Sequence, residues 1–96
     1  MPRRLLKSFI IGPRRWKILW EAPPLEDKAV AECHFDIRTI QLDPAEHGRQ
    51  ALDSTIHEAI HAIHDSPGMP RLSEAQVELE ANAMSGLLWG IGYRAK

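Results

Sequence analysis

The chain has 96 residues and a mass of 10.9 kDa, enough for one domain, since single cores form from chains of about 50–200 residues. Its 44% hydrophobic and 26% charged residues, with a formal charge of −1, exclude a disordered polyelectrolyte. The single cysteine excludes an internal disulfide framework, and no apolar run approaches the roughly 18 residues needed to span a bilayer.

The first twenty residues carry Arg3, Arg4, Lys7, Arg14, Arg15 and Lys17 and no acidic residue, so the acidic excess lies downstream. Phe9-Ile10-Ile11 stops at Gly12-Pro13, too short for a signal-peptide core, and the cytoplasm is the expected location. Residues 1–28 are read as a basic arm with a first strand, and 29–96 as the core of a single domain. No helix-turn-helix, paired-cysteine motif or aromatic-interleaved basic ribbon supports a nucleic-acid reader.

Trp16–Trp20 is aromatic and apolar enough for a strand that Pro23-Pro24 stops. Ala29–Phe35 and Thr39–Leu42 read as two more, with Ile40 and Leu42 alternating against Thr39 and Gln41. Asp36-Ile37-Arg38 between them suits a hairpin loop, although it has no glycine. Asp43-Pro44-Ala45-Glu46 has the form of a helix start, with Gly48 breaking that turn before a main helix over about Arg49–Asp65. Leu52, Ile56, Ala59 or Ile60, and Ile63 form its apolar stripe. Ser73 with Gln76, and Leu72 with Val77, have the spacing of a capping box and hydrophobic staple. Val77, Ala81, Met84, Leu88 and Ile91 then continue a second helix. Three short strands followed by two helices predict an α+β fold with an antiparallel sheet of about three strands.

The chemistry lies in His57-Glu58-Ala59-Ile60-His61. Residues i and i+4 share a helix face with a rise of about 6 Å, so two imidazoles can converge on one zinc ion at about 2.0–2.1 Å. Glu58 beside them suits the base that takes a proton from metal-held water. Zinc needs a third protein ligand and an open position. The longer HExxHxxGxxH pattern is absent, because His64 and Pro67 stand at its glycine and third-histidine positions. Glu74, Glu78 and Glu80 on the second helix are the candidates. Periodicity favours Glu78, which has Asn82 one turn later, only modestly over Glu80.

Thr55-Ile56-His57-Glu58-Ala59-Ile60-His61-Ala62-Ile63-His64, followed by Glu78-Leu79-Glu80-Ala81-Asn82 and Gly86-Leu87-Leu88, resembles the gluzincin zinc peptidases. More narrowly, it is similar to the small phage and bacterial metallopeptidases of the ImmA/IrrE type and the minigluzincins. The resemblance covers roughly residues 30–92 and implies a minimal zincin fold. It implies His57, His61 and Glu78 as zinc ligands, Glu58 as catalytic base and Asn82 as a polar partner around the ligands. The reaction implied is metalloendopeptidase hydrolysis of a peptide or protein, with the substrate added as a strand at the sheet edge. Tyr93, His64, His47 and Arg94 are the candidate oxyanion donors. After Asn82 this chain has Ala83-Met84-Ser85, where larger relatives have an aromatic residue and alanine, and no separate sensory domain is expected. Two other readings stand beside this one. Cys33 could supply a third ligand in deformylase-like chemistry, or the chain could be a catalytically idle, zinc-stabilised binding module of phage type.

Overall fold

A computed structural model describes residues 6–11, 13–21 and 31–93. Four strands, β1 (Leu6–Ile11), β2 (Arg14–Trp20), β3 (Ala31–His34) and β4 (Thr39–Leu42), precede two helices, α1 (Gly48–His64) and α2 (Glu74–Gly90). The α+β order is as expected, but the sheet is not a three-stranded antiparallel one. It has four strands in the order β1-β2-β4-β3, and β2 runs parallel to β4. The additional strand comes from the N-terminal arm: Leu6–Ile11 pairs antiparallel with Arg14–Leu19, so that Ile11 faces Arg14. The first residues of the expected Ala29–Phe35 strand, 29 and 30, lie outside the described residues, as does Arg94.

The sheet buries one face. Trp16, Ile40 and Leu42 form its core with Ala62 of α1, and Phe9, Ile11, Ile18, Trp20, Cys33 and Ala59 pack around them. This is the period-2 consequence of the pleat. Thr39 and Gln41 of β4 are nevertheless buried too. Gln41 accepts from His34 Nε2 at 2.9 Å and donates to the Glu21 carbonyl at 3.0 Å, so its amide is satisfied. The β3–β4 turn lacks a glycine because Arg38 itself takes the left-handed conformation, at φ 47°. The Arg38 carbonyl then accepts from Lys17 N at 3.0 Å and helps start the parallel pairing.

The start of α1 differs from expectation. Asp43 does not cap the helix: its carboxylate accepts from Ala45 N at 2.9 Å in a local turn. The residue before the helix is His47, without a side-chain cap, and Gly48, at φ 61°, begins the helix rather than breaking it. In α2 the capping box is present, with Gln76 N donating to Ser73 Oγ at 3.2 Å and Ser73 N to Gln76 Oε1 at 3.0 Å. The helices pack through Ile60, Val77 and Ala81, with Ile56 and Leu72 alongside. Ser85 is fully buried and donates to Asp53 Oδ1 at 3.0 Å, which fixes the register of one helix on the other. Met84 and Ile91, expected on the packed stripe of α2, are 48% and 72% exposed, and Ile63 of α1 is 39% exposed.

Candidate metal centre

The two histidines of α1 stand one turn apart, with ring centroids 5.0 Å from each other. Both are half-buried, and both lie in the C-terminal half of the helix. Only nine residues separate α1 from α2. A short link makes neighbouring helices antiparallel, so the start of α2 stands beside the end of α1. The residue brought there is Glu74, in the first turn after the Ser73 cap, where the helix dipole favours a carboxylate.

Glu74 Oε1 accepts from His57 Nε2 at 2.6 Å and lies 3.3 Å from His61 Nε2. His57, His61 and Glu74 each offer a ligand atom, and all three atoms lie within 4.8 Å of one another. A tetrahedral ion with bonds of about 2.0–2.1 Å separates its ligand atoms by about 3.3 Å. The His61–Glu74 separation already meets that value, and the His57–Glu74 contact needs to open by less than about 1 Å. Two imidazoles and one carboxylate are the donor set of many catalytic zinc sites. The residues therefore fit a metal ion, and the donor types fit zinc. Burial pushes the Glu74 carboxyl up, but hydrogen bonds and charge from His61 and His57 outweigh it and leave it lowered.

Glu58 is only 8% exposed, and among the described residues no donor holds its carboxylate. Burial raises its pKa, the charges of His57 and His61 lower it, and Glu74 and Glu32 raise it; the net direction is up. A carboxylate made more basic beside two imidazoles that could hold a metal ion is suited to accept a proton. Glu58, His57, His61 and Glu74 line a hollow of about 410 Å³ whose other wall is β3, from Ala31 to His34, followed by Phe35. β3 is an edge strand, so one side of its backbone is unpaired among the described residues. Phe35 meets His61 edge-to-face at 6.4 Å and Trp16 at 6.3 Å, tying the imidazole to the core.

Glu78 and Asn82, the other residues singled out by the resemblance, line a neighbouring depression with Asp53, Ala75, Leu79 and His57. Glu80 is exposed. Cys33 lines the same hollow as Glu58 but is not in the ligand group. Its thiol is pushed up to about 12, by burial first and then by the charges of Glu58 and Asp65. Of the suggested oxyanion donors, His64 lines a second hollow, which begins at His61. His47 precedes α1 and Tyr93 follows α2, half-exposed. Among the described residues, no helix is long and apolar enough to cross a membrane. Comparison with protein families, characterised proteins and solved structures gives no match to this chain.

Proposed function

We propose that the chain is a zinc-dependent peptide hydrolase. The observation that carries this reading is the meeting of His57, His61 and Glu74 within one ion's reach, beside the buried Glu58 carboxylate, which no donor among the described residues holds. When bound, zinc would supply Lewis-acid polarisation of the scissile carbonyl and a water acidified to a pKa of about 7.

The chain's own groups account for the remaining work. Glu58 takes the water proton on a carboxylate oxygen and returns it to the leaving amine. Its raised pKa supports the return step, because a more basic carboxylate gives a better-populated acid. The free edge of β3 offers backbone donors and acceptors to an extended peptide laid across the hollow. Phe35 keeps His61 in its rotamer by edge contact.

Glu78, the third ligand implied by the resemblance, is the competing donor one turn along α2. Glu74 is preferred because it already contacts both imidazoles. Cys33 is the weaker third ligand, since coordination needs the thiolate and its surroundings hold the proton on.

The test is metal analysis of the purified chain together with a peptide-library cleavage profile of wild type and Glu58→Gln. The reading expects about one zinc per chain in both proteins and cleavage by wild type alone. Stoichiometric zinc with no cleavage by wild type would make the chain a metal-stabilised binding module instead. Absence of zinc from a chain loaded and dialysed at neutral pH would overturn the site itself.

A further inference from the structure

Beyond His61, on the side away from His57, a second hollow of about 470 Å³ opens between the end of α1, the 65–72 connection and the start of α2. It shares His61 and Phe35 with the hollow that Glu58 and Glu74 line, so the two hollows adjoin at those residues. The volume is within the roughly 300–1,000 Å³ of small-ligand sites.

Its walls are chemically divided. Phe35, Met69, Leu72 and Val77 supply apolar surface. Phe35 and Met69 remain 45% and 42% exposed although both are large hydrophobic residues. Arg71 lies on the same wall, and among the described residues no carboxylate pairs with it. Asp65, the acid of this lining, is already engaged by Arg14 at 3.2 Å.

The connection that forms the wall is held in place. The Pro70 carbonyl can only accept, so the 2.7 Å contact with His64 Nδ1 fixes that nitrogen as the donor. Met69 N donates to the Ser66 carbonyl at 3.2 Å, and Gly68, at φ 85°, makes the bend between them. A wall fixed before the ligand arrives lowers the ordering cost of binding.

We propose that this hollow is the specificity pocket of the site. It takes a large apolar side chain from the residue flanking the scissile bond on the His61 side. Arg71 at the same wall takes a carboxylate just beyond that residue. The proposal rests on the hydrolase reading and adds the substrate class: peptides with a large apolar residue followed by an acidic group. That group is either an acidic side chain or the C-terminal carboxylate; the two share the chemistry that a guanidinium recognises.

The experiment uses one quenched-fluorescence peptide scaffold, varied at the flanking position among Phe, Leu, Ala, Gly and Asp. Each peptide is made with the next residue Glu or Gln, and with a free or amidated C-terminus. The zinc-loaded chain is expected to prefer Phe or Leu over Gly by at least about tenfold, as apolar pockets discriminate. Met69→Trp, which fills the hollow from an exposed loop position, should shift the preference to Ala or Gly. Arg71→Ala should abolish the preference for a carboxylate, and whether Glu or the free terminus carried that preference names the source. Zinc stoichiometry and melting temperature, measured on both variants, should match wild type.

Binding of the same peptides to Glu58→Gln, followed by fluorescence anisotropy, separates the two readings. Apolar-selective binding that Met69→Trp removes, with no cleavage by wild type, keeps the pocket and overturns hydrolysis. Cleavage whose preference is flat, or unchanged in Met69→Trp, overturns the pocket and leaves hydrolysis standing. Neither cleavage nor binding overturns both.

Discussion

Replacing Glu74 by Gln should leave the metal-free chain almost untouched and remove most of its stabilisation by zinc. The carboxylate is 65% exposed and bonded to two imidazoles. Exposed pairs of this kind contribute about 0–1 kcal/mol, so in chelator the variant should melt within a few degrees of wild type. Zinc bound only by the folded chain stabilises it by RT ln(1 + [M]/Kd), about 4.1 kcal/mol when free metal is 1,000 times Kd. If loss of the charged ligand raises Kd by about a thousandfold, the same free metal gives only about 0.4 kcal/mol. For a domain of this size each kcal/mol shifts the melting temperature by about 4–8 °C. The gain on adding zinc should therefore fall from about 16–33 °C to about 2–3 °C. Differential scanning calorimetry in chelator and in buffered zinc, with Glu78→Gln run in parallel, measures this. Glu78→Gln should keep most of the gain, because Glu78 lines the adjoining depression and not the ligand group. A full gain retained by Glu74→Gln and lost by Glu78→Gln would refute the assignment and place the ion one turn further along α2.

His61→Ala should lose stoichiometric zinc after dialysis, since it removes one of three protein ligands; atomic absorption reads this directly. Glu58→Gln should keep zinc and lose hydrolysis by at least about 100-fold. In chelator it should be more stable than wild type at neutral pH, because burial raises the folded pKa and the stability tied to that proton is lost as pH rises through the carboxylate range. For Cys33 the folded thiol, at about 12, keeps its proton where the unfolded thiol, at about 8.5, has lost it. Stability should therefore fall between about pH 9 and 12, and Cys33→Ser should flatten that fall in urea titrations.

The HExxH helix was legible in the sequence because its signal is local. His57 and His61 share a face by helix geometry alone, and Glu58 is covalently fixed beside them. The capping box at Ser73 was local too and is present. The fourth strand was not legible, because Leu6–Ile11 has weak alternation. Its pairing with Arg14–Leu19 depends on a hairpin whose apolar residues, Phe9 and Ile11, pack against the core of Trp16, Ile40, Leu42 and Ala62. The parallel contact of β2 with β4 is non-local and leaves no periodic mark. Ser85 at a fully buried position, and exposed Ile91 and Met84, show the same limit: the α2 stripe was read from hydrophobicity, whereas the Ser85–Asp53 hydrogen bond fixes which face meets α1.

The placing of Glu74 is the most instructive case, since the carboxylate was among the candidates and what singles it out is side-chain contact with both imidazoles, at 2.6 and 3.3 Å. Periodicity within α2 treats Glu74, Glu78 and Glu80 as choices of face, and on that ground Glu74 has no advantage. Across two antiparallel helices joined by nine residues, the question is also one of level along the axes. His57 and His61 flank Ile60, which packs on Val77 and Ala81, so Glu78 lies at their level as well as Glu74. Glu78 stands about one turn further along α2 and lines a depression with His57, so level alone does not choose between the two carboxylates. The antiparallel arrangement puts Asp53 opposite Ser85 at the far end of the pair and Arg71 beside His61 at the near end. The short connection thus brings the start of α2 to the histidines and supplies the wall of the hollow beyond them, while the reach of the Glu74 side chain makes the contact.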